Sequence, residues 1–234
     1  MFEINCHFLD TNILLSLILP EDNLHKKAVG YFKEEYKRYL SNTVINESQN
    51  VIFKLRRIAF KIIKHVKLNI LKNSVDLLNI DNFLYKLKMD FIAQYHNNDF
   101  PEGIQKQKFV HVVNQFFMDY NEYFKYSIVS NDVNNLNVLA KNIKNDYKFI
   151  LNNLFGLFTR FICISFINKM SFTKNLINIG IHKSDAIILE EFFRLSQSLN
   201  ESIIFLTLDK DILKLTHKIN QIFHSIVSIE TLKD

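Results

Sequence analysis

The stretch from His7 to Leu19 reads HFLDTNILLSLIL, an apolar run that is interrupted at Asp10, Thr11 and Asn12. Aspartate is depleted in β-strands, and a carboxylate without a partner is costly to bury. One explanation is local, because Asp10 would be a good N-cap for a helix that begins near Asn12. The other is functional, because ligands of open α/β sheets bind at the carboxyl ends of the strands. The remaining acidic residues of the sequence bear on this choice.

The composition indicates a globular protein of one large domain or two small ones. The chain has 234 residues, of which 48% are apolar and 13% aromatic, with only 4 glycines and 2 prolines. Long helices with few sharp turns are therefore expected. Cys6 and Cys163 stand among apolar residues and are predicted to be reduced core residues. Because the N-terminal sequence does not resemble a signal peptide, we expect a cytoplasmic protein.

Four short apolar runs are predicted strands, at residues 4–9, 39–40, 203–208 and 225–229. Strands that alternate with helices form parallel sheets, whose strands are buried on both faces and read as continuous apolar runs. The predicted fold class is therefore α/β, with three layers: a parallel sheet of about four to five strands, flanked by helices. This domain is expected to comprise residues 1–53 and 175–234.

Residues 54–174 are predicted to form a largely helical insertion, since no strand is expected between residues 51 and 170 and apolar residues recur there at helical spacing. The run FGLFTRFICISFI, at residues 155–167, is expected to be a buried helix because it is too short to span a membrane.

Four acidic residues stand where predicted strands end or helices begin. Asp10 and Asp209 each follow a strand. Glu47 lies shortly after the second strand, and Asp185 opens a helix in HKSDAIILEEFF. Taken singly, Asp185 suits the first turn of a helix, and Asp209 and Asp211 suit a turn or a cap. Together, the four acids can converge at one sheet edge, where their oxygens would suit Mg²⁺ or Mn²⁺.

The order of four short motifs resembles that of the PIN domain family, which includes the VapC-type toxins and other metal-dependent ribonucleases. The motifs are LDTN at residues 9–12, the spacing from Ser41 to Glu47, DAIIL from Asp185, and FLTLDKD at residues 205–211. The resemblance covers roughly residues 1–53 and 175–234. It implies a PIN-like fold with an acidic nuclease site that binds Mg²⁺ or Mn²⁺.

The resemblance assigns roles to individual positions, with catalysis and metal binding given to an acidic quartet. Between Glu47 and Asp185 stand 137 residues, whereas family members usually have a much shorter helical connection, so substrate preference does not carry over. The matching residues are the catalytic and metal-binding acids Asp10, Glu47, Asp185 and Asp209, the orienting polar residues Asn12 and Thr207, and the supplementary metal-binding acid Asp211.

A basic segment near the start of the insertion favours a polyanionic partner. Residues 54–72 read KLRRIAFKIIKHVKLNILK, with seven Lys or Arg and no acid. Helical spacing places Leu55, Ile58, Ala59, Ile62 and Val66 on one apolar face, so other side chains turn outward. An ordinary solvated helix face is the alternative interpretation. The candidate RNA-binding residues are Lys54, Arg57, Lys61 and Lys64.

The aromatic residues of the insertion have two interpretations. They can stack on unpaired bases, or they can form a helix core or an oligomer contact. The residues concerned are Phe116, Phe117, Tyr120, Tyr123, Phe124 and Tyr126.

The leading hypothesis is a metal-dependent endoribonuclease, with RNA as its partner and no membrane association. A non-catalytic RNA-binding or assembly module is the alternative from another functional class. A third hypothesis is a toxin-type ribonuclease controlled by an antitoxin. A homodimer and an antitoxin or other protein are thus candidate partners, and single-stranded DNA is a candidate substrate beside RNA.

Overall fold

The computed structural model describes residues 6–19, 24–72, 79–98, 106–158, 161–164, 171–199 and 202–232. Its sheet has five strands in the order β3-β2-β1-β4-β5, and every neighbouring pair is parallel. The predicted α/β class, with a parallel sheet flanked by helices, is confirmed. The strands are β1 (Cys6–Leu9), β2 (Lys37–Ser41), β3 (Ile162–Ile164), β4 (Ile203–Leu206) and β5 (Ser228–Glu230).

Helices account for most of the rest of the described chain. They are α1 (Thr11–Ile18), α2 (His25–Tyr31), α3 (Asn42–Lys72), α4 (Ile80–Asn98), α5 (Lys106–Asp119), α6 (Asn121–Val129), α7 (Asn134–Phe158), α8 (Thr173–Asn178), α9 (Lys183–Ser198) and α10 (Lys210–Phe223). No helix within the described ranges combines the length and the apolarity that crossing a membrane requires.

The predicted strand at residues 39–40 lies wholly within β2, and the other three predicted strands are confirmed over part of their length. In the sheet, Phe8 of β1 is paired with Tyr39 of β2 on one side and with Phe205 of β4 on the other. All three side chains are at most 3% exposed, as expected for strands covered on both faces. Residues 4 and 5 of the first predicted strand lie outside the described residues.

The expectation of no strand between residues 51 and 170 is wrong, because β3 lies there and pairs with β2. Residues 155–167 therefore do not form one buried helix: α7 includes Phe155, and β3 follows. A short apolar run cannot be assigned to a helix or a strand by periodicity alone. Residues 162–164 form a strand because they pair with the edge of β2. Cys163 in β3 is exposed, so its predicted core position is also wrong, whereas Cys6 is buried as predicted.

Helix α9 is joined to the sheet by aromatic contacts. The ring of Phe192 lies 5.8 Å from that of Phe8 and 5.2 Å from that of Phe205. The next residue, Phe193, stacks on Phe223 of α10 with ring centroids 4.2 Å apart. These contacts fix α9, which carries Asp185 in its first turn, relative to β1 and β4.

The chain divides into two compact units. One comprises Met1–Asn50 with Ile150–Asp234 and contains the sheet, and the other is Val51–Phe149. The second unit has its own core, to which α3, α4, α5, α6 and α7 contribute buried apolar side chains. Of the predicted apolar face of α3, Ile58, Ala59, Ile62 and Val66 are buried in that core, and Leu55 is half-buried.

The aromatic residues of the second unit are largely structural. Phe117 and Phe124 are buried, and Phe116 and Tyr120 pack against the same core, which agrees with the helix-core interpretation. Tyr123 and Tyr126 are 46% and 62% exposed, so of the six candidates they have the most surface available for a ligand.

Candidate active site

Asp10 lies where β1 ends and α1 begins. Its backbone N–H donates to the carbonyl of Leu206 at 3.0 Å, which extends the β1–β4 pairing by one residue. Its side chain is the N-cap of α1, with Oδ1 accepting from the N–H of Thr11 at 2.7 Å. The residue is only 2% exposed. Capping is thus real, but it occupies one carboxylate oxygen and does not explain why the group is buried.

The second oxygen of Asp10 belongs to a network that joins the ends of β1 and β4. Oδ2 accepts from the hydroxyl of Thr207 at 2.6 Å and from Nδ2 of Asn12 at 2.8 Å. The side-chain oxygen of Asn12 in turn accepts from the N–H of Leu208 at 2.9 Å. Both residues assigned an orienting role from the motifs therefore contact the carboxylate directly.

Glu47 lies in α3, a little over one turn after that helix begins. Its Oε2 accepts from the hydroxyl of Thr11 at 2.6 Å. Because the N–H of Thr11 also donates to Asp10, this one residue connects the two acids. The motifs assigned no role to Thr11, although LDTN shows a hydroxyl residue directly after the strand-end aspartate.

The electrostatics of the site raise the pKa of Asp10 from 3.8 to about 7. Burial is the largest cause, and the negative charges of Asp185 and Glu47 act in the same direction. Hydrogen bonds from Thr207 and Thr11 favour the charged form but do not outweigh these effects. Glu47 and Asp185, which stand 37 and 175 positions after Asp10 in the chain, thus both act on Asp10 at the end of β1.

Ion pairs with Lys or Arg would offset negative charge on Asp10 and Glu47. Within the described ranges, no Lys or Arg forms such a pair with either acid. Like charges that share a buried site disfavour ionisation unless a proton or a cation neutralises them. Uptake of a proton or of a cation by Asp10 would therefore be favourable.

Asp209 and Asp211, the predicted acids near the end of β4, have different contacts. Asp209 is the N-cap of α10, with Oδ1 accepting from the N–H of Asp211 at 2.7 Å and from that of Ile212 at 3.4 Å. Its own N–H donates to the hydroxyl of Thr207 at 3.0 Å, so its backbone joins the Asp10 network. Asp211 is exposed and forms an ion pair with Lys214 at 3.2 Å. The cap role that the structural interpretation offered is thus confirmed for Asp209, whereas Asp211 lies in the first turn of α10 and forms a surface ion pair.

As they stand, the side chains do not form a closed metal centre. Among the described residues, no three His, Cys, Asp or Glu side chains are grouped so that they could hold a metal ion. The chemistry of the donors nevertheless suits a hard divalent cation, because Asp10, Glu47 and Asp185 offer only carboxylate oxygens. A cation at this position would also offset the effect of Glu47 and Asp185, whose negative charges disfavour ionisation of Asp10.

The four candidate RNA-binding residues lie on α3 within the second compact unit. At 100° per residue, Lys54, Arg57, Lys61 and Lys64 fall within a sector of about 80° of the helix. Arg57 and Lys64 are exposed, while Lys54 and Lys61 are half-buried. The ammonium group of Lys61 lies 4.3 Å from the ring centroid of Tyr95. This sector is a cationic surface that can make several phosphate contacts.

Comparison with known proteins adds no assignment. No protein-family model matches the chain, and no curated protein matches it significantly. The resemblance to PIN domains therefore depends on the order of the short motifs.

We expect the folded protein to lose stability as pH rises through the range in which Asp10 ionises. Because the pKa of Asp10 is about 7 in the folded state and 3.8 for an unperturbed aspartate, the folded state binds the extra proton. Its contribution is full below the unfolded pKa and is lost as pH rises to the folded pKa. Between pH 5 and pH 8 this loss should be roughly 3 kcal/mol, measured by urea unfolding without metal.

The Asp10→Asn variant should show a much smaller decrease, because an amide does not titrate. Asp81→Asn is the matched control, since the Asp81 side chain is 82% exposed and pairs with Lys125. Equal pH dependence in the wild type and Asp10→Asn would show that Asp10 ionises at an ordinary pKa.

Proposed function

We propose that this protein is a divalent-metal-dependent nuclease that hydrolyses phosphodiester bonds in RNA. The observation that carries the proposal is the interaction of Asp10, Glu47 and Asp185 at the carboxyl end of β1, with Asp10 buried there. Asp10 is buried beside two further acids and forms no ion pair within the described residues, so its carboxylate adds no stability to the fold by itself. Retaining such a group has a purpose if a cation binds and acts there. The motif order that resembles the PIN family supports the same function.

Mg²⁺ or Mn²⁺ is the cofactor that suits these donors. Asp10, Glu47, Asp185 and Asp209 are the proposed ligands, and Asp211 is the supplementary acid. When bound, a divalent ion lowers the pKa of a coordinated water and neutralises negative charge on the phosphate.

The residues of the chain have separate roles in this proposal. Thr207 and Asn12 hold Oδ2 of Asp10 in one orientation, and Thr11 holds Glu47 relative to Asp10. Without a cation, the raised pKa keeps a proton on the carboxyl group of Asp10 near neutral pH. Binding of a cation requires that proton to leave, so metal affinity should increase with pH.

RNA is proposed as the substrate because α3 carries the cationic sector described above. Lys54, Arg57, Lys61 and Lys64 would contact phosphates, which gives affinity that depends on salt and little on sequence. The resemblance to PIN-domain toxins adds two candidate protein partners, an antitoxin and a second copy of the chain. Action on cellular RNA would take place in the cytoplasm.

Two observations favour a second function, RNA binding without cleavage. No three potential ligands are grouped as a metal site among the described residues, and both oxygens of Asp10 already accept hydrogen bonds. A protein of this kind would bind RNA through α3 and would use the hydrogen-bonded Asp10 network to join β1 to β4. The two functions differ in whether the protein cleaves RNA when a divalent ion is present.

Cleavage of labelled RNA should require Mg²⁺ or Mn²⁺ and should stop with chelator. Asp10→Asn should reduce the rate by at least about 100-fold, because it removes a charge at the centre of the proposed ligand set. The measurement is a time course with single-stranded RNA, duplex RNA and single-stranded DNA, each with Mg²⁺, Mn²⁺ or chelator.

Asp81→Asn controls this assay, because it also removes one carboxylate but in the other compact unit. Metal-dependent cleavage at the wild-type rate by Asp10→Asn would rule out the proposed site. RNA binding with no cleavage under any metal condition would favour the second function.

Replacing Lys54, Arg57, Lys61 and Lys64 with Gln should weaken RNA binding and reduce its dependence on salt. If all four contact phosphates of a single strand, the slope of log K against log salt should decrease by about 3. The measurement is fluorescence anisotropy with labelled RNA and chelator, so that cleavage does not contribute.

A variant with the same loss of charge at other exposed lysines separates a local effect from a general one. Lys141, Lys144, Lys148 and Lys174 are all exposed and suit this purpose. If both sets of substitutions change the slope equally, the α3 sector has no specific role in RNA binding.

A further inference from the structure

Two adjacent acids in the middle of α9 lie outside the proposed ligand set. Glu190 is fully buried and Glu191 is 4% exposed. Carboxylates are seldom buried to this extent unless they are paired. The sequence shows them only as EE within the apolar run IILEEFF, and their partners are distant in the chain. The structure gives the two neighbours quite different surroundings.

The surroundings of Glu190 explain its burial. Its oxygens accept from the N–H groups of Phe172 and Thr173, where α8 begins, and it forms an ion pair with Arg194 at 3.0 Å. Burial acts to raise the pKa of Glu190, but the hydrogen bonds from Thr173 and Arg194 outweigh it and lower that pKa. Glu190 thus caps a short helix and has a structural role.

The surroundings of Glu191 leave one of its oxygens without a partner. Oε1 accepts from the hydroxyl of Thr43 at 2.7 Å, whereas the buried Oε2 has no hydrogen-bond partner. Burial raises the pKa of Glu191, and the nearby hydroxyls of Ser41 and Thr43 offset only part of that rise. Within the described chain, no Lys or Arg forms an ion pair with Glu191. A buried polar group with these contacts is not explained by stability, because a hydrophobic residue of similar volume would serve as well or better.

The partner of Glu191 connects it to the acidic site. Thr43 lies in the first turn of α3, and Glu47 follows four residues later on the same face of that helix. Glu47 is held at its other side by Thr11, which also donates to Asp10. The contacts therefore run from Glu191 through Thr43 and one turn of α3 to Glu47, and onward through Thr11 to Asp10.

We propose that Glu191 is a positioning residue, which fixes the first turn of α3 against α9 so that the carboxylate of Glu47 faces Asp10. Asp185 stands in the first turn of α9, so the same contact sets the position of two proposed ligands relative to each other. Glu191 itself touches neither the cation nor the RNA. The inference depends on the proposed function, since it assigns Glu191 a role in that site.

The first measurement is Mn²⁺ binding, followed by isothermal titration calorimetry. Glu191→Met keeps the volume but removes the acceptor for Thr43, and it should weaken Mn²⁺ binding about 10- to 100-fold, as loss of an outer hydrogen-bond partner does in other metal sites. Glu191→Gln keeps an acceptor oxygen for Thr43, so it should bind Mn²⁺ nearly as well as the wild type.

Stability should change in the opposite order. Glu191→Met removes a buried unpaired group and should unfold at the wild-type temperature or above it. Glu191→Gln places an amide N–H where Oε2 has no partner and should unfold at a lower temperature. A merely structural role for Glu191 predicts instead that metal affinity follows stability.

Thr43→Val tests whether the effect passes through Thr43. It should weaken Mn²⁺ binding as Glu191→Met does, and the double variant should be no weaker than either single variant. Glu190→Gln is the matched control, because it changes the neighbouring buried acid: it should lower the unfolding temperature and leave Mn²⁺ binding unchanged.

The second measurement needs neither metal nor cleavage. The ¹³C resonance of the Glu47 carboxyl group, assigned with Glu47→Gln, should move in Glu191→Met and Thr43→Val but not in Glu190→Gln. If this resonance and Mn²⁺ affinity are both unchanged in Glu191→Met, the positioning role is overturned while the proposed function stands. If the resonance moves but the wild type neither binds Mn²⁺ nor cleaves RNA, the positioning role stands and the proposed function fails.

Discussion

The hydrogen bond from the hydroxyl of Thr207 to Oδ2 of Asp10 joins residues that are 197 positions apart. It connects the ends of β1 and β4, which are neighbours in the sheet, and Asn12 strengthens the connection by contacting both Asp10 and the backbone of Leu208. The burial of Asp10 is a consequence of this connection. So is the raised pKa, because the same pairing that orders the site removes water from the carboxylate.

Stability alone does not explain the acidic residues around the end of β1. Glu47 and Asp185 both act on Asp10, and neither Asp10 nor Glu47 has a cationic partner among the described residues. Glu191 adds a buried oxygen that has no partner. Both features cost free energy in the metal-free protein. A bound divalent ion would offset the first, and the proposed positioning role of Glu191 gives a reason for the second. The two buried acids of α9 show the contrast, because Glu190 has partners for structure and Glu191 contacts the helix that carries Glu47.

Most of the sheet could be predicted from rules that relate local sequence pattern to position, and the same rules selected Asp10 as a candidate. Continuous apolar runs located β1, β2, β4 and β5, and the rule that ligands bind at strand ends drew attention to Asp10. The strand β3 was not predicted because three apolar residues next to a helix show too little periodicity. It is recognised as a strand only by its pairing with β2. The proposed role of Glu191 could not be predicted from the sequence, because its hydrogen-bond partner, Thr43, is 148 positions away. Local sequence shows which residues are chemically unusual, but distant pairing decides what they contact.

Proton release on metal binding is the most direct test that the buried carboxylate of Asp10 is a cation ligand. Calorimetric titration with Mn²⁺ in buffers of different ionisation enthalpy should show nearly one proton released per ion at about pH 6, where Asp10 is protonated, and far less at about pH 8. Asp10→Asn should abolish that release. Binding of Mn²⁺ with the same proton release in Asp10→Asn, or no binding by the wild type at either pH, would show that Asp10 does not hold a metal ion.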